Sequence, residues 1–198
     1  MTSSNHRTAT HDIHPIFLDR WSPRAFTGET MTKTELLTIL EAAHWAPSAF
    51  NYQPWRFVYA LKGDAHFETL LGSLIEFNQG WAKNASALVF VISDTLSRPA
   101  DGSAPKPSRS HSFDAGAAWG YLALQALHSG YHAHGMTGVD FDKAASVLGV
   151  PGDYHIEAAV AIGKLGDKSI LPEGLQAKES PNGRKPLEDV VFEGKFKA

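Results

Sequence analysis

Residues 44–57 read HWAPSAFNYQPWRF and join a helical pattern to a strand pattern. Ordinary connections solvate their backbone with Gly, Asp, Asn and Ser. This one instead holds two prolines, two amides, a serine and several aromatics with scarcely a charge, a composition suited to touching something. Upstream, Thr32-Lys33-Thr34-Glu35 matches the capping box, in which the Thr oxygen and the Glu carboxylate satisfy orphan backbone donors. Leu36, Leu37, Ile39, Leu40 and Ala43 follow at helical spacing, and Pro47 disfavours helical geometry at Ala46, so the helix is predicted to stop as the motif begins. Downstream, RFVYAL at 56–61 is rich in β-formers. Ser48, Asn51 and Gln53, framed by Trp45, Phe50, Tyr52 and Trp55, offer what a flat heteroaromatic ligand needs: faces for its ring and amides for its polar edge. A packed helix-to-strand turn is the other reading of Gln53-Pro54-Trp55.

Working outward, Gly63-Asp64 punctuates the chain before a second helix expected over 65–77, and ALVFVIS at 87–93 reads as the next strand. Residues 94–112, DTLSRPADGSAPKPSRSHS, show no periodicity; a structureless stretch of that length suggests a lid over a site or a tolerated surface insertion. A third helix is predicted over 113–129. From Ala115 through Gly130 it carries no charge on any face, which calls for burial on all sides. Gly116, Gly120, Ala123 and Ala126 keep one side small enough for close backbone approach, pointing to a subunit interface or to a central core helix. Asp140 caps a fourth helix ending near Leu148-Gly149, and 155–162 is a late strand. After Gly163 the pattern dissolves into an arm, 164–198, whose Leu187, Val190, Val191 and Phe192 need burial against a partner. Residues 1–12 are polar and expected to be a disordered tail, with a short helix near 15–19. No repeat or boundary divides 13–198. One α+β domain follows, with helices flanking a mostly antiparallel sheet.

At 198 residues the chain can bury a substantial core without staples. A net charge of -3 and no recognisable nucleic-acid motif argue against nucleic acid as a partner. Cysteine is absent, so disulfides, thiolate nucleophiles and Cys-ligated metals are excluded. The N-terminal segment lacks the apolar run of a secretory signal and no run is long enough to span a bilayer, so a cytoplasmic location without membrane contact is expected. Among the ten histidines, His128, His132 and His134 invite a metal, but Gly130 breaks the helical face between the first two, and no metal is expected. Ser48 beside His44 lacks a G-x-S-x-G elbow.

Arg20, Ser22 and Arg24 alternate in RWSPRAF, so an extended backbone sets them on one face toward an anion. On spacing alone a solvated basic turn fits equally well. Arg184 and Lys185 in PNGRKPLEDVV mean little by themselves. Together and in this order, however, these motifs resemble those of the FMN-dependent nitroreductase family. R-x-S-x-R-x-F is similar to its phosphate element, APSAFNYQPWRF to its P-S-x-x-N-x-Q-P-W-x-F signature, and Phe77-Asn78 with Trp81 to its flavin-reading segment. The charge-free helix resembles the family's dimer core, Gly135-Met136-Thr137-Gly138 the segment lying against the flavin ring, and Gly-Arg-Lys-Pro-Leu its closing phosphate contact.

The resemblance implies an obligate homodimer with the nitroreductase-like fold, binding FMN and using NAD(P)H as a transient donor to reduce a nitroaromatic, quinone or related acceptor by ping-pong transfer. A non-catalytic, flavin-sequestering protein of the same fold is the alternative. It implies that Arg20, Ser22, Arg184 and Lys185 hold the phosphate and that Arg24 sits by the N1/O2 edge, where a cation favours reduced flavin. Asn78 would read the pyrimidine edge, and Met136, Thr137 and Gly138 would lie near N5. Pro47, Ser48, Ala49, Phe50 and Asn51 would reach the cofactor from the other subunit. No acid–base side chain is implied; solvent would supply the proton.

Overall fold

The computed structural model describes residues 6–99 and 101–197. In chain order the strands are β1 (Trp55–Leu61), β2 (Ala87–Asp94), β3 (Leu96–Ser97), β4 (Lys106–Pro107), β5 (His132–Met136) and β6 (Tyr154–Gly163). The helices are α1 (Ile16–Asp19), α2 (Lys33–His44), α3 (Phe67–Leu71), α4 (Glu76–Ala82), α5 (His111–His128), α6 (Phe141–Leu148) and α7 (Glu173–Gln176). Four strands form one antiparallel sheet in the order β1-β2-β6-β5. Every residue of β2 is buried, and because side chains alternate across a strand it feeds two cores. Leu88, Phe90 and Ile92 meet Phe67, Leu70, Trp81 and Ala144 from α3, α4 and α6. Ala87, Val89 and Val91 meet Leu36 and Ile39 of α2 and Ala118, Leu122 and Ala126 of α5. The result is an α+β layout: helices on both faces of an antiparallel sheet.

Local chemistry explains the elements that were foreseen. The α2 capping box is formed, with Glu35 N donating to Thr32 Oγ1 at 3.2 Å and Thr32 N donating to Glu35 Oε2 at 2.8 Å. Asp140 caps α6, which closes on Gly149 in the left-handed conformation that glycine tolerates. Phe26 is wholly buried and leans on Trp81, an approach open only because Gly163 lacks a Cβ, which would stand 2.8 Å from the Phe26 ring.

Several expectations are corrected. The helix read over 65–77 is two helices, α3 and α4, because between them Leu74 bridges to Val139 and Ile75 N donates to Gly138 O at 3.1 Å. The 94–112 stretch is not structureless: β3 pairs with β4, α5 already begins at His111, and Arg98 ion-pairs with Asp94 and Asp153. Strand β5 is an addition to the expected strands, because HAHGM shows no apolar alternation to announce it. Helix α5 is buried within the chain on one face only. Ala115, Ala118 and Leu122 point inward, while Gly116 and Tyr121 are exposed and Phe113 is 82% exposed. The C-terminal arm leaves Leu187, Val190 and Val191 exposed. Residues 1–5 of the expected tail lie outside the described residues; residues 6–12 carry no helix or strand, yet Arg7 is firmly engaged, as described below.

Candidate functional site

The 44–57 connection adopts a conformation that sequence patterning does not announce. After α2 stops at His44, Phe50, Asn51 and Gln53 all take positive φ, at 50°, 57° and 51°, where side chains with a Cβ are strained. Two hydrogen bonds hold it: Gln53 N donates to Ser48 Oγ at 3.0 Å, and Ala49 N donates to Asp114 Oδ2 at 3.2 Å. Asp114 is buried in the first turn of α5 and also accepts from Ser110 Oγ. Pro54 and Trp55 are buried and anchor the far end, whereas Phe50 is 90% exposed. Among the described residues no hydrogen bond joins Pro47, Ser48, Ala49, Phe50 or Asn51 to the arginine segment.

A second group gathers along β5. Arg20 Nη1 donates to Ser22 Oγ at 3.2 Å. Arg7 reaches in from the N-terminal segment, donating from Nη1 to Arg20 O (2.6 Å) and Leu18 O (3.0 Å) and from Nε to Asn182 O (2.6 Å). Arg184 Nη1 donates to Gly183 O at 2.9 Å, and no hydrogen bond of Lys185 to a described residue is present. The half-buried Arg20 guanidinium is pushed below its ordinary value first by burial and then by the positive charges of Arg7 and Arg184. Among the described residues no carboxylate ion-pairs with Arg20 or Arg184. Like charges gathered without a counter-charge favour an anion between them.

The remaining arginine has a different setting. Glu179, a buried carboxylate of the arm, accepts from the backbone N of Arg24 (2.6 Å) and of Ala25 (2.8 Å) and lies 3.9 Å from Arg24 Nη1. Arg24 Nε is nevertheless buried with no hydrogen-bond partner among the described residues. Beneath this segment His134 Nδ1 donates to Pro23 O at 2.9 Å and its ring lies against Trp81 with centroids 4.7 Å apart, while His132 meets Trp21 edge-on. Burial, with the neighbouring arginine charges, holds both imidazoles below the usual histidine range, so they are neutral at pH 7. They support the RWSPR segment. Among the described residues no group of three or more His, Asp or Glu could hold a metal.

The third group is at the end of β5. Asn78 Nδ2 donates to Gly138 O at 3.1 Å, and Trp81 Nε1 donates to Asn78 Oδ1 at 3.3 Å. A Cβ on Gly138 would fall 2.2 Å from Asn78 Nδ2, so only glycine permits this meeting. Met136 and Thr137 line a cleft of ≈ 310 Å³ together with Gly116, Trp119 and Glu157. The structure thus bonds Arg20 to Ser22, brings the charges of Arg20 and Arg24 to bear on His134 of β5, and joins Asn78 to Gly138. Sequence reasoning missed Arg7, Asp114 and Glu179, whose partners lie 175, 65 and 155 residues away in the chain.

The Arg7 clasp is directly testable. Arg7→Ala removes the bonds that tie the arm at Asn182 to the backbone of Arg20. Limited proteolysis is expected to cut the variant near residues 178–185 at least several-fold faster than the wild type, and equal rates would contradict the clasp.

An antiparallel four-stranded sheet between two helical layers, with guanidinium groups gathered over its β5 edge, defines an α+β protein of the nitroreductase-like kind. The family model for the nitroreductase family matches residues 18–164, and the chain belongs to that family. A crystal structure of an oxidoreductase containing FMN superposes with a TM-score of 0.94 at 56% identity, covering 100% of this chain and 99% of that one. Among curated relatives, the CLA biosynthesis enone reductase of Lactiplantibacillus plantarum is 26% identical over 90% of this chain and 97% of its own length. The NADH dehydrogenase of Thermus thermophilus is 29% identical, with 91% and 95% covered. Among the described residues no helix is long and apolar enough to cross a membrane.

Proposed function

We propose that the protein is an FMN-dependent oxidoreductase that passes hydride from NAD(P)H to a quinone, nitroaromatic or related acceptor by alternate occupation of one pocket. The observation that carries this reading is the uncompensated Arg20–Arg184 pair beside the partnerless Arg24 Nε, an arrangement suited to a phosphate followed by an electron-rich ring edge. The relatives support it, since an oxidoreductase containing FMN, an enone reductase and an NADH dehydrogenase are among the proteins this chain resembles.

The donor set fits the cofactor. Arg20, Ser22, Arg184 and Lys185 would bind the phosphate, each charge-assisted bond contributing about 1.5 to 3 kcal/mol. Arg24 would donate its free Nε–H to the N1/O2 edge, and Asn78, already fixed by Gly138 and Trp81, retains one N–H and one lone pair for the pyrimidine edge. Met136, Thr137 and Gly138 would flank the ring, and Pro47, Ser48, Ala49, Phe50 and Asn51 of a second copy would close it. A bound flavin supplies reversible two-electron hydride chemistry at N5; the chain positions the rings and excludes water. The β3–β4 region would shape the acceptor.

Anaerobic titration with NADH and NADPH tests the reading. The purified protein is expected to be yellow, to bleach on adding either donor, and to recover its colour when a quinone or nitroarene follows. A protein that takes up FMN without bleaching would instead support the flavin-sequestering alternative, and one that does not bind FMN overturns both.

A further inference from the structure

Strand β6 carries one residue more than its partner: Val91 pairs with Ala158 and Ile92 with Ile156, leaving Glu157 unpaired at a bulge. Bulges re-aim side chains and are over-represented beside active sites. Here the re-aimed carboxylate lines the cleft that contains Met136, Thr137 and Trp119. Its other side is wired. Ser93 Oγ donates to Glu157 Oε1 at 2.5 Å and lies 2.8 Å from His111 Nδ1, while Ser112 Oγ lies 2.8 Å and 3.3 Å from the same two atoms. His111 Nδ1 is itself 3.4 Å from Glu157 Oε1, and the more exposed His155 sits 4.0 Å from Oε2. Ser93 is fully buried, so its hydroxyl links His111 to Glu157 without facing solvent. A hydroxyl that accepts from an imidazolium and donates to a carboxylate is a proton wire.

We propose that Glu157 donates a proton to the acceptor in this cleft, resupplied by His111 through Ser93. This rests on the oxidoreductase reading above. A quinone accepts two electrons and one hydrogen as the hydride originating from NAD(P)H; its second hydrogen must arrive as a proton. As the His111 Nδ1–H bond breaks, a bond forms to Ser93 Oγ, the Ser93 proton passes to Glu157, and a proton leaves Glu157 for the product oxyanion. Glu157 ends as the carboxylate it began as, and His111 ends neutral and regains a proton from water. The other titratable or charged groups around this relay are His155 on β6, Asp94 with its Arg98 partner, and Asp114 one turn along α5.

The test uses the FMN-loaded protein with two acceptors: a quinone, which needs the proton, and ferricyanide, which takes electrons alone. In Glu157→Gln and in His111→Asn the ratio of quinone to ferricyanide turnover is expected to fall about 100-fold, the low end of general-acid contributions. Independently of turnover, the His111 Nδ1 chemical shift in NMR should move at fixed pH in Ser93→Ala and in Glu157→Gln, because each removes a hydrogen-bonded member of the wire. An unchanged ratio in the loaded variants overturns the relay alone, as does a His111 Nδ1 signal indifferent to both Ser93 and Glu157. A protein that never takes up FMN overturns the enzyme reading and the relay with it.

Discussion

Arg20→Ala is expected to weaken FMN binding roughly 10- to 150-fold while leaving the fold intact, since the charge-assisted phosphate contact proposed for Arg20 would contribute about 1.5 to 3 kcal/mol. The fold should survive because the Arg20 groups that hold structure belong to its backbone: the carbonyl accepts from Arg7 and the amide donates to Ile16 O at 3.0 Å. Among the described residues the side chain makes a single bond, to Ser22, and is repelled by two other guanidinium groups, so its removal relieves a like-charge cost. Arg20→Lys keeps the charge but loses the planar fork and should fall between wild type and alanine. Flavin fluorescence titration of the apoprotein, with inorganic phosphate as competitor, measures both. Unchanged FMN affinity in the alanine variant would remove Arg20 from the phosphate site.

The legible and illegible parts of this protein divide by interaction range. Signals within a few residues are readable: the Thr32–Glu35 box, the Asp140 cap with Gly149, and the apolar run at 87–92 that marks a strand. The order of short motifs also singled out Asn78 and Gly138, each for its own place, and the hydrogen bond that joins them emerges only in the structure. What escaped depends on contacts between distant segments. Nothing near Glu179 announces that its carboxylate will clamp the Arg24 and Ala25 amides, and nothing near Arg7 announces the arm. Strand β5 was missed for a related reason. Its histidines face the RWSPR segment and a tryptophan, so the alternation that marks a half-buried strand is carried by imidazoles rather than aliphatics. The bulge at Glu157 is likewise a property of register with β2, invisible in β6 alone.

The largest effect is expected from Gly120→Trp on α5, proposed here as the core of an obligate homodimer. Within the chain a Cβ at Gly116 or Gly120 would meet nothing within 4 Å, so neither glycine is demanded by the chain's own packing. Yet the exposed side of this helix, which carries no charge from Ala115 onward, is continuous in composition with Phe113 and Tyr121, and Asp114 on the same helix holds the Pro47–Asn51 connection, whose Phe50 is 90% exposed. Obligate interfaces resemble a domain core cut in half, and small residues let helix backbones approach across one. An indole at position 120 would enter open space in a monomer but would separate two facing copies. Wild-type protein should therefore sediment as a dimer at micromolar concentration, with a Tm that rises with protein concentration because folding and association are linked. Gly120→Trp should lose the dimer, the concentration dependence and FMN together, since half of each proposed flavin pocket comes from the second copy. A wild-type chain that persists as a folded monomer at micromolar concentration would overturn the obligate interface, and a Gly120→Trp dimer that keeps FMN would move that interface away from this face of α5.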